Sequence, residues 1–179
     1  KIRLDDDSRA YNITQNSGDV EVGDEVIVNT TAVDLSLGTG GWHFVLWNLK
    51  NETLSTKASG HIMKMRYSAL QFESGVAEEF ENYTQENNIE GTPVIAAPLF
   101  SQVAPIATLI KKRRPDLKIA VVISDSAALP LAIADLMVQM KEKKLVDSSI
   151  TFGHAYGGDI EAINIFTALL SAKHVANAD

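Results

Sequence analysis

Cysteine is missing from this chain of 179 residues. Its absence excludes disulfides, cysteine-ligated zinc, iron–sulfur clusters and thiol catalysis. No apolar run reaches the ~18 residues of a membrane span, and residues 1–7 hold no signal-peptide core, so no membrane partner is expected. Basic charge is scarce, with 16 Lys+Arg against 23 Asp+Glu and a net charge of -7. A general nucleic-acid binder needs a basic face for phosphate, so nucleic acid is not expected as a partner. The only basic run, Lys111-Lys-Arg-Arg114, closes a helical segment, where cations suit the helix dipole. Repeats and low-complexity tracts are absent. What is present is enough apolar sequence, 45% of residues, to bury the core of one ordinary domain or two small ones. A cysteine-free acidic chain fits the cytoplasm, and the Asn-x-Ser/Thr triplets at Asn12, Asn29, Asn51 and Asn82 then read as chance matches.

The hydrophobic period changes along the chain. Residues 1–72 read as β. Val26, Ile27 and Val28 follow the turn Val22-Gly-Asp-Glu25, and Trp42, Phe44, Leu46 and Leu49 follow Leu37-Gly-Thr-Gly-Gly41. After Gly60, residues His61, Met63, Met65 and Tyr67 alternate with Ile62, Lys64 and Arg66. Short strands joined by Gly and Asp turns predict a small antiparallel β-barrel-like domain. Residues 73–91 carry Glu78, Glu79, Glu81, Glu86 and Glu90 with no Lys or Arg, and read as an acidic helical linker.

Residues 92–179 alternate β and α and predict a three-layer α/β domain with a parallel sheet. The expected strands are 92–98, 118–124 and 149–153, whose apolar runs suit burial on both faces. The expected helices are 102–114, stopped by Pro115, 128–144 with Pro130 in its first turn, and 159–174. The chain starts at Lys1 and stops where another strand is due. It is expected to be a piece of a longer protein, or to complete its sheet with another chain.

Several phrases carry a family resemblance together: Asn29-Thr-Thr-Ala-Val33 running into Leu37-Gly-Thr-Gly-Gly41 and His43-Phe-Val45; Gly60-His-Ile-Met-Lys64; Ser101-Gln-Val-Ala-Pro105; Asp125-Ser-Ala-Ala-Leu-Pro130; and Gly153-His-Ala-Tyr-Gly-Gly-Asp159. In this combination and order the chain resembles the bacterial family filed as domain of unknown function 3866, from Gly23 onward. The resemblance implies a bacterial, cytoplasmic protein of which this chain is the N-terminal half or so. It implies no activity, cofactor or site residue.

Ligands of open parallel sheets bind beyond the carboxyl ends of the strands. The expected ends carry Ser101-Gln102, Asp125-Ser126 and Gly153-His154, which makes Ser101, Asp125 and His154 the candidate catalytic residues. Gln102, Ser126, Gly153, Gly157, Gly158 and Asp159 are the candidate ligand contacts, since glycines let a backbone approach a ligand. The competing reading is that Ser101, Asp125, Ser126 and Asp159 cap the helices that follow them. The loop matches neither the dinucleotide nor the phosphate-loop pattern. Asp159 and Glu161 beside it favour a cation, an amine or a hydroxyl-rich ligand over a nucleotide. A Ser101–His154–Asp125 triad lacks the G-x-S-x-G elbow. Metal binding by His154, Asp125 and Asp159 lacks short ligand spacing, so no metal site is assigned, and no cofactor is named. His43 and His61 stand near glycine turns, as an interface or a second pocket wall, or simply as strand residues. An RNA-binding barrel would need a basic aromatic face. Lys50, Lys57, Lys64 and Arg66 are too few against Asp5, Asp6, Asp7, Asp19, Glu21, Asp24 and Glu25. The leading expectation is a small-molecule-binding α/β domain behind a β unit. The alternative is a non-enzymatic assembly or interaction module, with homo-oligomers open in both.

Overall fold

Local chemistry sets the first strands. The computed structural model describes residues 1–38, 40–54, 60–80, 83–124 and 130–179. It divides into two compact units, Lys1–Ala58 with Met65–Glu73, and Ser59–Lys64 with Ser74–Asp179. In the first unit the expected strands appear as β3 (Val26–Asn29) and β4 (Trp42–Asn48), and the N-terminus adds β1 (Ile2–Arg3) and β2 (Arg9–Tyr11). The turn before β3 is closed by Asp24, whose carboxylate accepts from the Glu21 amide, lies 2.8 Å from Lys50 Nζ and accepts from Asn48 Nδ2. The Glu21 amide, then Lys50 and Asn48, hold that carboxyl down at about 2.

The four strands are ordered β1-β2-β4-β3, with β1–β2 and β3–β4 antiparallel and β2–β4 parallel. This is an open mixed sheet and not the expected antiparallel barrel. Closure requires the outer strands to pair, and β1 and β3 do not pair among the described residues. The expected run after Gly60 contracts to β5 (Ile62–Lys64), which forms a separate two-stranded sheet with β6 (Phe72–Ser74). In place of the acidic helix, the described part of 73–91 holds one 3-10 turn, Ala77–Glu79. Its glutamates have no cation one turn away to offset their repulsion.

The second unit has an all-parallel sheet, β7 (Ala120–Ile123), β8 (Ser148–Phe152) and β9 (Ile160–Ala162), in that order. Strand alternation sorts β7 between two layers. Ile119, Val121 and Ile123 pack with Ala107, Leu131, Met137 and Met140, while Ala120 and Val122 pack on the opposite side with Ile150, Ala162, Ala168 and Ala172. The first layer contains α3 (Val103–Arg113) and α4 (Asp135–Glu142), and the second α5 (Ile165–Leu170), continued as a π-helical turn over Ser171–Val175. The short helices of the first unit, α1 (Thr14–Ser17) and α2 (Thr31–Asp34), complete the set. Among the described residues, no helix is long and apolar enough to cross a membrane.

Three expectations for this unit change. Residues 92–98 form no strand. Pro93 and Pro98 supply no backbone donors, no strand among the described residues pairs with them, and Val94 and Ile95 are exposed. The expected helix 128–144 starts only at Asp135, after a 3-10 turn at Leu131–Ile133; residues 125–129 lie outside the described set. The expected helix 159–174 is a strand first, β9, and becomes helical at Ile165, where the Asn164 side chain accepts from the amides of Phe166 and Thr167.

Candidate functional site: a loop clamped by a buried lysine

Parallel neighbours usually need a crossover of a dozen or more residues. Here β8 returns to β9 through 153–159 alone, and the face of the sheet beneath that loop is polar. Ser149 and Thr151 on β8 are fully buried, yet bonded. Gly158 N donates to Thr151 Oγ1 at 3.0 Å, Ser149 N and Oγ donate to Asp159 Oδ2 at 2.9 and 3.0 Å, and Leu131 N donates to the Tyr156 carbonyl at 2.9 Å. A loop backbone laid on a hydroxyl stripe does the work of an apolar crossover helix. The glycines serve that approach. A Cβ at Gly158 would lie 2.9 Å from Thr151 N, and one at Gly157, where φ is +86°, would lie 3.0 Å from Ala132 N.

The clamp comes from β5. Lys64 is 1% exposed, and its Nζ donates to the Gly153 carbonyl at 3.0 Å and the Ala155 carbonyl at 2.7 Å. It also lies 3.0 Å from Glu161 Oε2 on β9. That last contact is one of charges: Oε2 receives no well-aligned hydrogen bond, while Oε1 accepts from Gly157 N at 2.7 Å. The two carbonyls flank His154. The residue between them is therefore carried on a fixed backbone and is itself exposed.

The loop runs from one end of the sheet to the other. Gly153 and His154 lie at the carboxyl end of β8, whereas Asp159 lies at the amino end, bonded to the start of β8 and ion-paired with Lys141. Asp159 and Glu161 are thus each paired with a lysine of the chain, Asp159 at the end opposite His154 and Glu161 beside the carbonyls that flank it. Ser101 stands exposed in a 3-10 turn, Phe100–Gln102, that follows no strand of this sheet, and Gln102 Oε1 accepts from Leu99 N. Asp125 and Ser126 lie outside the described residues. His43, in the first unit, has a buried Nδ1 with no hydrogen-bond partner. His61, in the second, is exposed, and its backbone amide donates to Glu79 Oε1.

Two residues at the carboxyl edge escaped the sequence reading. At the end of β9, Ile163 N donates to Glu78 Oε1 at 3.0 Å, while Glu78 Oε2 is buried without a hydrogen-bond partner. Glu78 had read as a solvated linker charge. Lys64 reads in the sequence only as one of the few cations of the β half, and its alternation with His61, Met63 and Met65 after Gly60 is its one sequence signal. In the first unit, Arg9 and Lys1 lie over the Trp42 ring, 4.7 and 5.2 Å from its centre. Neither cation is among the four basic residues set against an RNA-binding barrel.

The Asp159 carboxyl predicts an acid response. Burial pushes its pKa up, but Lys141 and the Ser149 hydrogen bonds outweigh burial and hold it below its ordinary 3.8. A depressed carboxyl contributes stability above the unfolded value that is lost as pH falls through the folded one. Urea unfolding between about pH 5 and pH 2 should show a steeper loss below about pH 4 for the parent than for Asp159→Asn; equal slopes would remove Asp159 from the acid response.

The family model described as a protein of unknown function (DUF3866) matches residues 9–179. The chain belongs to this family. No curated protein and no solved structure matches it. The family brings no activity with it, so the chemistry of this chain rests on its own residues.

Proposed function

We propose that the chain is a small-molecule-binding α/β domain whose ligand edge is the carboxyl end of β7 and β8, with His154 and Asp125 as contact groups. The observation that carries this reading is the rigid presentation of His154 between two carbonyls gripped by Lys64. The β7–β8 pairing supports it, because the junction leading to Asp125 is then the neighbour of the one holding His154. Glu78, bonded to the backbone after β9, adds a carboxylate to the same edge. An edge that presents both imidazole and carboxylate groups suits an amine-bearing or hydroxyl-rich ligand. Among the described residues, no three His, Asp or Glu side chains gather as a metal site.

A thermal-shift panel of sugars, polyols and diamines tests the reading. A ligand at 100-fold excess over its Kd stabilises by about 2.7 kcal/mol, about 5 °C or more for a protein of this size. His154→Ala and Asp125→Ala should abolish that shift while moving the ligand-free Tm by less than about 2 °C. Variants that unfold, or that bind like the parent, would return both residues to capping and packing.

A second reading has its own observation. Ile163, Ile165 and Phe166, just past β9, are 46%, 40% and 76% exposed, which suits an interaction module. If no panel member binds while Phe166→Asp alters the sedimentation of the concentrated protein, this reading takes precedence.

A further inference from the structure

The surroundings of Lys64 Nζ have the composition of a cation site. Two backbone carbonyls and one carboxylate oxygen lie at 2.7, 3.0 and 3.0 Å from a single positive centre. The lysine side chain is 1% exposed and that of Glu161 is 17% exposed, so water takes little part. The cage without Nζ carries one negative charge, from Glu161. A divalent ion would leave a buried excess of positive charge, and calcium and magnesium sit closer to oxygen, at about 2.3–2.6 and 2.0–2.1 Å. The two carbonyl distances, 2.7 and 3.0 Å, are those of N–H···O hydrogen bonds, about 2.7–3.2 Å.

We infer that this cage is a monovalent-cation site occupied by the chain's own ammonium group, and that removing the Lys64 side chain opens it to free ammonium or potassium. The carboxylate and the later part of the loop have anchors other than Lys64. Glu161 is held by the Gly157 amide and by the pairing of β9 with β8, opposite Thr151. The loop that supplies the carbonyls is fixed at Gly158 and Asp159 by Thr151 and Ser149. What Lys64 supplies is a charge of the right size, delivered on a tether from β5. This inference does not rest on the ligand-edge reading and is measured without any ligand.

The test is thermal unfolding of Lys64→Ala in choline, ammonium, potassium and magnesium chloride at matched ionic strength. The parent should melt alike in all four. The variant should melt at least about 6 °C lower in choline, since it leaves a buried carboxylate unpaired, and ammonium or potassium should restore most of the loss while magnesium does not. If the variant is unfolded in choline, circular dichroism should show it folding on addition of ammonium chloride. Hydrogen exchange at the Gly157 amide gives a local readout, fast for the variant in choline and slowed again by ammonium. Two controls define the site. Lys64→Met fills the side-chain space and should not respond to ammonium, and Lys64→Ala with Glu161→Gln removes the charge that would hold a free cation. A variant that melts equally low in every salt, melts like the parent, stays unfolded throughout, or is restored equally by magnesium overturns the inference.

Discussion

Lys64→Met is expected to cost about 3–5 kcal/mol of folding stability, because it strands the Glu161 carboxylate and two inward carbonyls in a site closed to water. Glu161→Gln alone should cost about as much, since it leaves the Lys64 charge without its counter-ion while keeping an acceptor for Gly157 N. The informative protein is the double variant. With both charges gone, the new amide NH2 lies where Glu161 Oε2 faced the cage, and the paired loss should be smaller than the sum of the single losses by about 1–3 kcal/mol. Urea unfolding of the four proteins measures the coupling. Strictly additive losses would show that the two side chains do not act as a pair. A native-like Lys64→Met would show that the loop holds itself without the clamp.

The second large effect is expected at Gly60, which opens the segment that delivers Lys64. A Cβ there would lie 2.3 Å from Gly75 Cα and 2.7 Å from Gly75 N, with Glu79 Oε2 at 2.8 Å. Two of those atoms are backbone and cannot rotate away. Gly60→Ala should therefore cost about 3 kcal/mol, at the upper end for overpacking, and should loosen the His61 amide bonded to Glu79. The reverse substitution is mild by the same geometry. A Cβ at Gly75 meets Phe80 Cζ at 3.6 Å, Gly60 Cα at 3.9 Å and Gly60 N at 4.0 Å, ordinary contacts, so Gly75→Ala should stay within about 1 kcal/mol of the parent. Denaturant midpoints for the two variants decide the matter, and equal midpoints would mean that the two backbones do not approach in solution as they do here.

Much of the secondary structure was legible because it is set by neighbours in sequence. Helix α3 stops at Arg113, before Pro115, as the proline requires. Strand β3 follows a turn that Gly23 and Asp24 enforce. The unbroken Ile119-Ala-Val-Val-Ile123 announced burial on both faces, and its odd and even residues go to opposite layers. The barrel, the strand at 92–98 and the long third helix were misread for a common reason. Each pattern is locally sound, but strand pairing needs a partner that periodicity does not name. Ile160 suits a helix stripe with Ile163 and Phe166 as well as a strand face with Ala162. Only the neighbouring β8 makes them a strand, and Asn164, a strong N-cap just beyond, then starts the helix.

The candidate site divides along the same line. The sequence by itself determined that His154 follows a strand in a loop with three glycines, and that this loop lacks the spacing of a phosphate or dinucleotide site, because turn chemistry and motif spacing are local properties. Only the tertiary structure decided what the loop packs against. Its glycines approach Thr151 and Leu131 of the same chain, its one acid, Asp159, and Glu161 on β9 are each paired with a lysine, and His154 is held by an ammonium group whose partners stand 89 and 91 residues away. A lysine read alone belongs in water, since burying its charge is costly. It enters a core only where carbonyls and a carboxylate already converge, and that convergence is made by the folded chain.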